Sequence, residues 1–176
     1  MGLRDRAELV AFKNAAEQFC SIIESEPADI HSWGEELTLS LSMLSAFGGL
    51  LASESGFPED FPDLPDEYDL SHDEWSKVFN KIALYLYPQR SDWKCHFCPD
   101  AADSHEISGI LADNLADIYR ALKPGLRAWK GGADEYLPSI LFEWKLGYRT
   151  NWGFDAVEAL KELHPLVYSV GFKNTT

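Results

Sequence analysis

Two aspartates one helical turn apart, Asp113 and Asp117, are the residues whose type and spacing bear most directly on chemistry. On a helix both carboxylates project from one face, where they can hold Mg²⁺ or supply an acid and a base. On that reading the chain is a divalent-metal-dependent helical hydrolase. Like charges at this spacing also repel by about 0.3 kcal/mol, so a compensating cation is expected. Arg120, Arg127 and Arg149 are the candidates, and the alternative to a metal site is an internal ion-pair network. A di-metal carboxylate bundle needs Glu-x-x-His pairs. The nearest spelling, Lys161-Glu162-Leu163-His164, has Lys where Glu is required.

A second group is Cys95-His96-Phe97-Cys98 with His105 following. Cys-x-x-Cys is half a zinc shell and His105 supplies a third ligand, leaving His72, His96, Asp100 or Asp103 to complete it. A two-cysteine redox motif belongs at a helix start after a strand, a context missing here, and two idle thiols are the plain alternative. Zinc and Mg²⁺ are thus the cofactors the residues suggest, and neither is required. No Gly-x-Ser-x-Gly elbow, phosphate-binding glycine loop or dinucleotide fingerprint occurs. His164 follows the core position Leu160 by one turn and is expected to be a hydrogen-bonded bundle histidine.

The third group is a stretch rather than a motif. Residues 54–74 hold nine acids and no Lys or Arg, with Pro58, Pro62 and Pro65 spaced through them and Phe57, Phe61, Leu64 and Tyr68 interleaved. Proline forbids one continuous helix, and the aromatics imply that the connection packs back on the body in places. Asp60, Asp63, Asp66 and Glu67 are the carboxylates expected to meet a partner. Of six tryptophans, Trp93 and Trp129 are the two expected to be exposed. Exposed Trp beside acid suits recognition of a protein.

The balance of 29 acidic to 15 basic residues, a net charge of −14, argues against nucleic acid and anionic membranes. It suits a basic protein partner, steered electrostatically, and equally a surface that simply stays soluble. No apolar run reads as a bilayer span, since Leu37 to Ala52 is interrupted by Ser40, Ser42, Ser45, Gly48 and Gly49. The opening MGLRDRAEL lacks the apolar region of a signal peptide, so a cytoplasmic location is expected. An odd count of three cysteines does not resemble a disulfide framework.

The elements that must position these groups are helical. Apolar residues recur at three and four over residues 4–24, 29–53, 71–87, from 104 to about 122, 133–149 and 153–170. Asp29 and Ser104 are N-cap candidates, and Ser71-x-x-Glu74 spells a capping box. Pro124 is expected to kink or end its helix, and Gly131-Gly132 to end whatever follows. Gly48-Gly49 marks a kink or the close approach of another helix. The expectation is one all-α domain over residues 1–176, an irregular bundle of about six helices with an acidic loop near 54–70 and a Cys/His loop near 89–104.

The string LADNLADIYRALKPGL at Leu111 to Leu126 resembles a signature of the bacterial domain-of-unknown-function family 5063. Asn151-Trp152-Gly153-Phe154-Asp155, Ala159-Leu160 and Leu163-His164 match its closing element, and AELVAFKNAAEQFCSIIES its opening helix. The family tends to have His before Trp-Gly and a second His after it; here stand Asn151 and, depending on register, Phe154 or Asp155. The resemblance implies an all-helical bacterial protein and no activity. Composition and motifs together favour a non-enzymatic acidic interaction module of the immunity, antitoxin or adaptor kind; its oligomeric state is not legible.

Overall fold

The computed structural model describes residues 3–53, 61–86, 106–132 and 134–168. Among them are six α-helices and no strand: α1 (Ala7–Glu24), α2 (Ile30–Ser53), α3 (His72–Leu86), α4 (Glu106–Lys130), α5 (Leu137–Thr150) and α6 (Trp152–Tyr168). The protein is an all-α bundle. Short 3-10 turns occupy Leu3–Asp5, Asp66–Tyr68 and Asp134–Tyr136.

Local chemistry sets the boundaries. The Ser32 N–H donates to the Asp29 carboxylate at 2.8 Å, which caps α2 and holds that carboxyl below its ordinary range. The capping box of α3 forms in both directions. The Ser71 N–H donates to Glu74 Oε2 at 2.9 Å, and the Glu74 N–H donates to Ser71 Oγ at 3.3 Å. Gly132 closes α4 with a φ of 75°, a left-handed conformation that disfavours any side chain. Pro138 stands in the first turn of α5, where its missing N–H leaves no bond unmade.

Pro124 does not end its helix. It lies inside α4, which continues to Lys130. The turn beyond it is held by packing: Leu126 and Ala128 are buried, and Gly125 lies against the indole of Trp144. That burial outweighs the bond lost at the proline. Pro165 likewise sits within α6.

The core has an aromatic centre. Phe12 of α1 touches Trp144 of α5 and Trp152 of α6, with ring centroids 5.0 and 5.7 Å away. Around it pack Leu9, Phe19, Leu37, Leu41, Leu44, Leu115, Ile118 and Leu122. Gly48 admits the rings of Tyr148 and Trp152 against α2, so the glycine pair marks a close approach. The indole N–H groups of Trp144 and Trp152 have no hydrogen-bond acceptor among the described residues, whereas Trp33 donates to the Ile22 carbonyl at 3.2 Å.

Helix α2 has 24 residues with a mean hydropathy of 1.3 over its most apolar window, so by length and composition it could cross a membrane despite its Ser and Gly residues. Here its inner side is core, packed against α1, α5 and α6. Gly48 beside Trp152 and Gly34 beside Val167 show that α6 runs antiparallel to it.

Candidate functional site

Two acidic constellations are built on α4 and differ in how their charge is handled. The first lies between α4 and α6. Asp113 and Asp117 are half-buried on α4 beside its core stripe, as the helical spacing requires. The Trp75 indole of α3 donates to Asp117 Oδ1 at 2.8 Å, and Trp75 is itself stacked between His72 and Phe79. From α6, Asp155 adds a third carboxylate. Burial first, then the charges of Asp117 and Asp113, push Asp155 up to about 6. Burial also raises Asp113, with Asp117 adding to it and Arg120 opposing.

Of the cations expected to compensate the pair, Arg120 acts on Asp113. Arg127 donates to the strap described below and Arg149 to the Ala52 carbonyl. No three His, Cys, Asp or Glu side chains among the described residues converge as a metal shell.

A group disfavoured in its charged form titrates with a definite sign. Above pH 6 the fold carries the cost of an ionised Asp155, and that cost is relieved as pH falls toward the unfolded value near 4. Discounted for solvent screening at a half-buried position, Asp155→Asn is expected to raise stability by about 1 kcal/mol at neutral pH. The gain should disappear near pH 4, as read from urea midpoints at the two pH values. A variant equal to wild type at neutral pH would disprove the crowding.

The second constellation is the connection from Phe61 to Ser71, a strap laid over α4 and α5. Phe61 packs on Phe142 with centroids 4.9 Å apart, Ser139 donates to the Pro62 carbonyl, and Tyr68 meets Tyr136 edge-on at 6.4 Å. Leu64, Tyr68 and Leu70 pack on the core. Arg127 ties the strap down, donating from Nη1 to the Asp69 carbonyl at 2.8 Å and the Tyr68 carbonyl at 3.3 Å, and from Nη2 to Glu74 Oε1 at 2.6 Å. The Ser71 N–H, then Arg127, hold Glu74 down to about 2.

With its backbone inward, the strap turns Asp63, Asp66, Glu67 and Asp69 outward, all exposed. Asp63 and Asp69 also reach Glu143 of α5, whose carboxyl is raised by burial and then by those two charges. Among the described residues no ion pair neutralises Asp63, Asp66, Glu67, Asp69 or Glu143. Glu24 is handled differently: it accepts from Tyr119 at 2.7 Å and pairs with Lys123, which outweighs its burial and keeps it ionised.

Not every expected residue joins this surface. Trp129 is half-buried, not exposed: its ring stacks on Trp144 at 6.5 Å and lies beneath the Arg4 guanidinium at 4.9 Å. Its place on the last turn of α4, above the aromatic core, buries it. His164 is exposed with its ring against Tyr168 and has no hydrogen bond among the described residues. Asp60, Trp93, Cys95, Cys98 and His105 lie outside the described residues, as does the connection from 54 to 60. Burial of Cys20 pushes its thiol up to about 12, as suits a core residue.

The segments that converge at the α4–α6 carboxylates are the two that carry sequence signal, LADNLAD and NWGFD. The family model described as "Domain of unknown function (DUF5063)" matches residues 5–169. The chain belongs to this family. No curated protein matches it. Among solved structures, the crystal structure of protein BF1032 from Bacteroides fragilis is similar at a TM-score of 0.72 and 18% identity, over 95% of this chain and 99% of that one. At that identity the likeness concerns the fold. Within that closing segment Asp155 faces the two carboxylates of α4.

Proposed function

We propose that this DUF5063 protein is a non-enzymatic interaction module that binds a basic protein partner through the strap, in a neutralising or adaptor role. One observation carries the reading. Asp63, Asp66, Glu67 and Asp69 are exposed on a backbone pinned by Arg127 and Ser139, with Glu143 adding charge and no described cation paired to any of them. A fixed, unneutralised anionic surface loses little entropy on binding and steers a cationic partner toward it. Trp129 is not part of this surface.

The test is native mass spectrometry of the protein purified gently at low salt from its own host, beside the variant Asp63→Lys/Asp66→Lys/Glu67→Lys. A basic protein is expected to accompany wild type and to be lost from the variant, whose melting temperature stays near wild type because all three side chains are exposed. Retention of the partner by the variant, or no partner at all, would refute the reading.

The second reading, a metal-dependent hydrolase at Asp113 and Asp117, is favoured by the third carboxylate of Asp155 and disfavoured by the lack of a metal-shell geometry among the described residues. A Mg²⁺-dependent rise in melting temperature that Asp113→Asn/Asp117→Asn abolishes would move the weight to it.

A further inference from the structure

Helix α2 presents a second surface that the strap does not use. Between Leu37 and Ser53 it carries no charged residue, on a chain whose net charge is −14. On its outer side Leu39, Met43, Ala46 and Leu50 are all exposed, the three large ones by 59%, 38% and 56%. Their spacing alternates four, three and four, the narrow seam by which one helix takes another as its partner. Beside the C-terminal end of α2, an open cleft leads to Phe154 and Val157 of α6, exposed by 68% and 57%.

The seam has a further property. Leu39 and Leu50 are equidistant from the peptide joining Leu44 to Ser45, and so are Met43 and Ala46. A two-fold axis through that point, with the helices antiparallel, sets Leu39 against Leu50 of the partner subunit and Met43 against Ala46 of the partner subunit. Large then meets small at the centre and Leu meets Leu at the flanks, as an isologous contact requires. The same operation sets Glu36 against Ser53 of the partner subunit, not against another acid. We infer that this face binds a second copy of the chain, α2 packed antiparallel on α2.

Charge and area support the choice of occupant. Two copies of so acidic a chain can approach without local repulsion where neither carries charge, and a basic partner would gain nothing from such a face. From Leu39 to Ser53 the helix spans about 22 Å, and with α6 alongside the face is about 20 Å wide. The contact then buries on the order of 1,000 Å² between the two copies, at the lower limit for a specific interface. A contact of that size belongs with weak, reversible association.

Sedimentation equilibrium of the full chain from low micromolar to near-millimolar concentration tests this, with Leu39→Lys, Leu50→Glu and their equimolar mixture alongside. Wild type should dimerise reversibly. Each variant alone should raise the dimer Kd on the order of thirtyfold or more, with unchanged helical circular dichroism. The mixture should regain dimer, since Lys at 39 then faces Glu at 50 across one half of the seam. A wild type monomeric throughout, including one that instead binds neutral lipid vesicles, would overturn the proposal. So would a dimer indifferent to both variants, or one that the mixture fails to restore.

Discussion

Replacing Gly153 with alanine is expected to destabilise the protein by about 4 kcal/mol, more than the same change at any other described glycine. A Cβ there would stand 2.0 Å from the Tyr148 carbonyl oxygen and 2.9 Å from its carbon. Both are backbone atoms and cannot rotate aside. The turn between α5 and α6 is too short to absorb the shift: the Asn151 N–H donates to Gly147 at 2.8 Å, and Asn151 accepts from Phe154 at 2.9 Å. Helix α6 would have to move away from α5 and take Trp152 with it. That indole lies against Gly48 and Gly147 and on the ring of Phe12, so the shift opens the centre of the core. The melting temperature should fall by about 10 °C or more. Gly132→Ala is the control: no heavy atom stands within 4 Å of its Cβ, and only its φ of 75° opposes the change, at about 1 kcal/mol. Equal losses at the two sites would show that the close approach at Gly153 is not what its geometry implies.

Arg127→Ala should lower stability by about 2 kcal/mol and act on one region. The guanidinium serves two carbonyls of the strap and the Glu74 carboxylate at once. The ion pair to Glu74 is exposed enough to count for little; most of the loss comes from carbonyls left without their charged donor. Amide exchange should therefore quicken first from Phe61 to Ser71, ahead of α4 and α5. Arg127→Lys should not rescue it, since one ammonium cannot reproduce a fork that spans three acceptors. The pH dependence has the opposite sign from that of Asp155. Because Glu74 is depressed from 4.5 to about 2, its contribution is complete above about pH 4.5 and is lost as pH falls through 2, so the difference between variant and wild type narrows there. If the strap binds a basic partner, the same variant should weaken that binding with every carboxylate intact. Uniform exchange throughout the bundle would show that Arg127 has no special hold on the strap.

What could be read in the chain depended on range. The capping box at Ser71 and Glu74, the Asp29 cap and the glycine stop at Gly132 are decided within four residues, and each was legible. That α4 continues past Pro124 was not legible, because the local cost is set against contacts from α5, more than ten residues away in sequence. Trp129 misled for a similar reason: the neighbouring glycines suggested exposure, while Arg4 from the far end of the chain covers its ring. Lys145, buried to 2%, looks in sequence no different from the exposed Lys130. Within the α4–α6 cluster the pair on one helix was evident from spacing, and Asp155 was not, because it arrives from another helix. The seam on α2 was half visible. Its outer apolar residues are in the string, but only burial of the opposite side separates them from the core.

Helix α4 contacts α1, α3, α5 and α6 as well as the strap, yet it begins at Glu106. A ribosome making this chain delivers α1 and α2 early, and they can pair on each other. The strap and α3 then emerge with little to rest on, since their main footing, Arg127 included, is still unsynthesised. For that interval the nascent chain carries an acidic, aromatic segment that cannot dock. Release of α4 then begins the conversion of a two-helix hairpin with a loose tail into the bundle, which α5 and α6 complete, and stalling before it should leave the tail open to proteases.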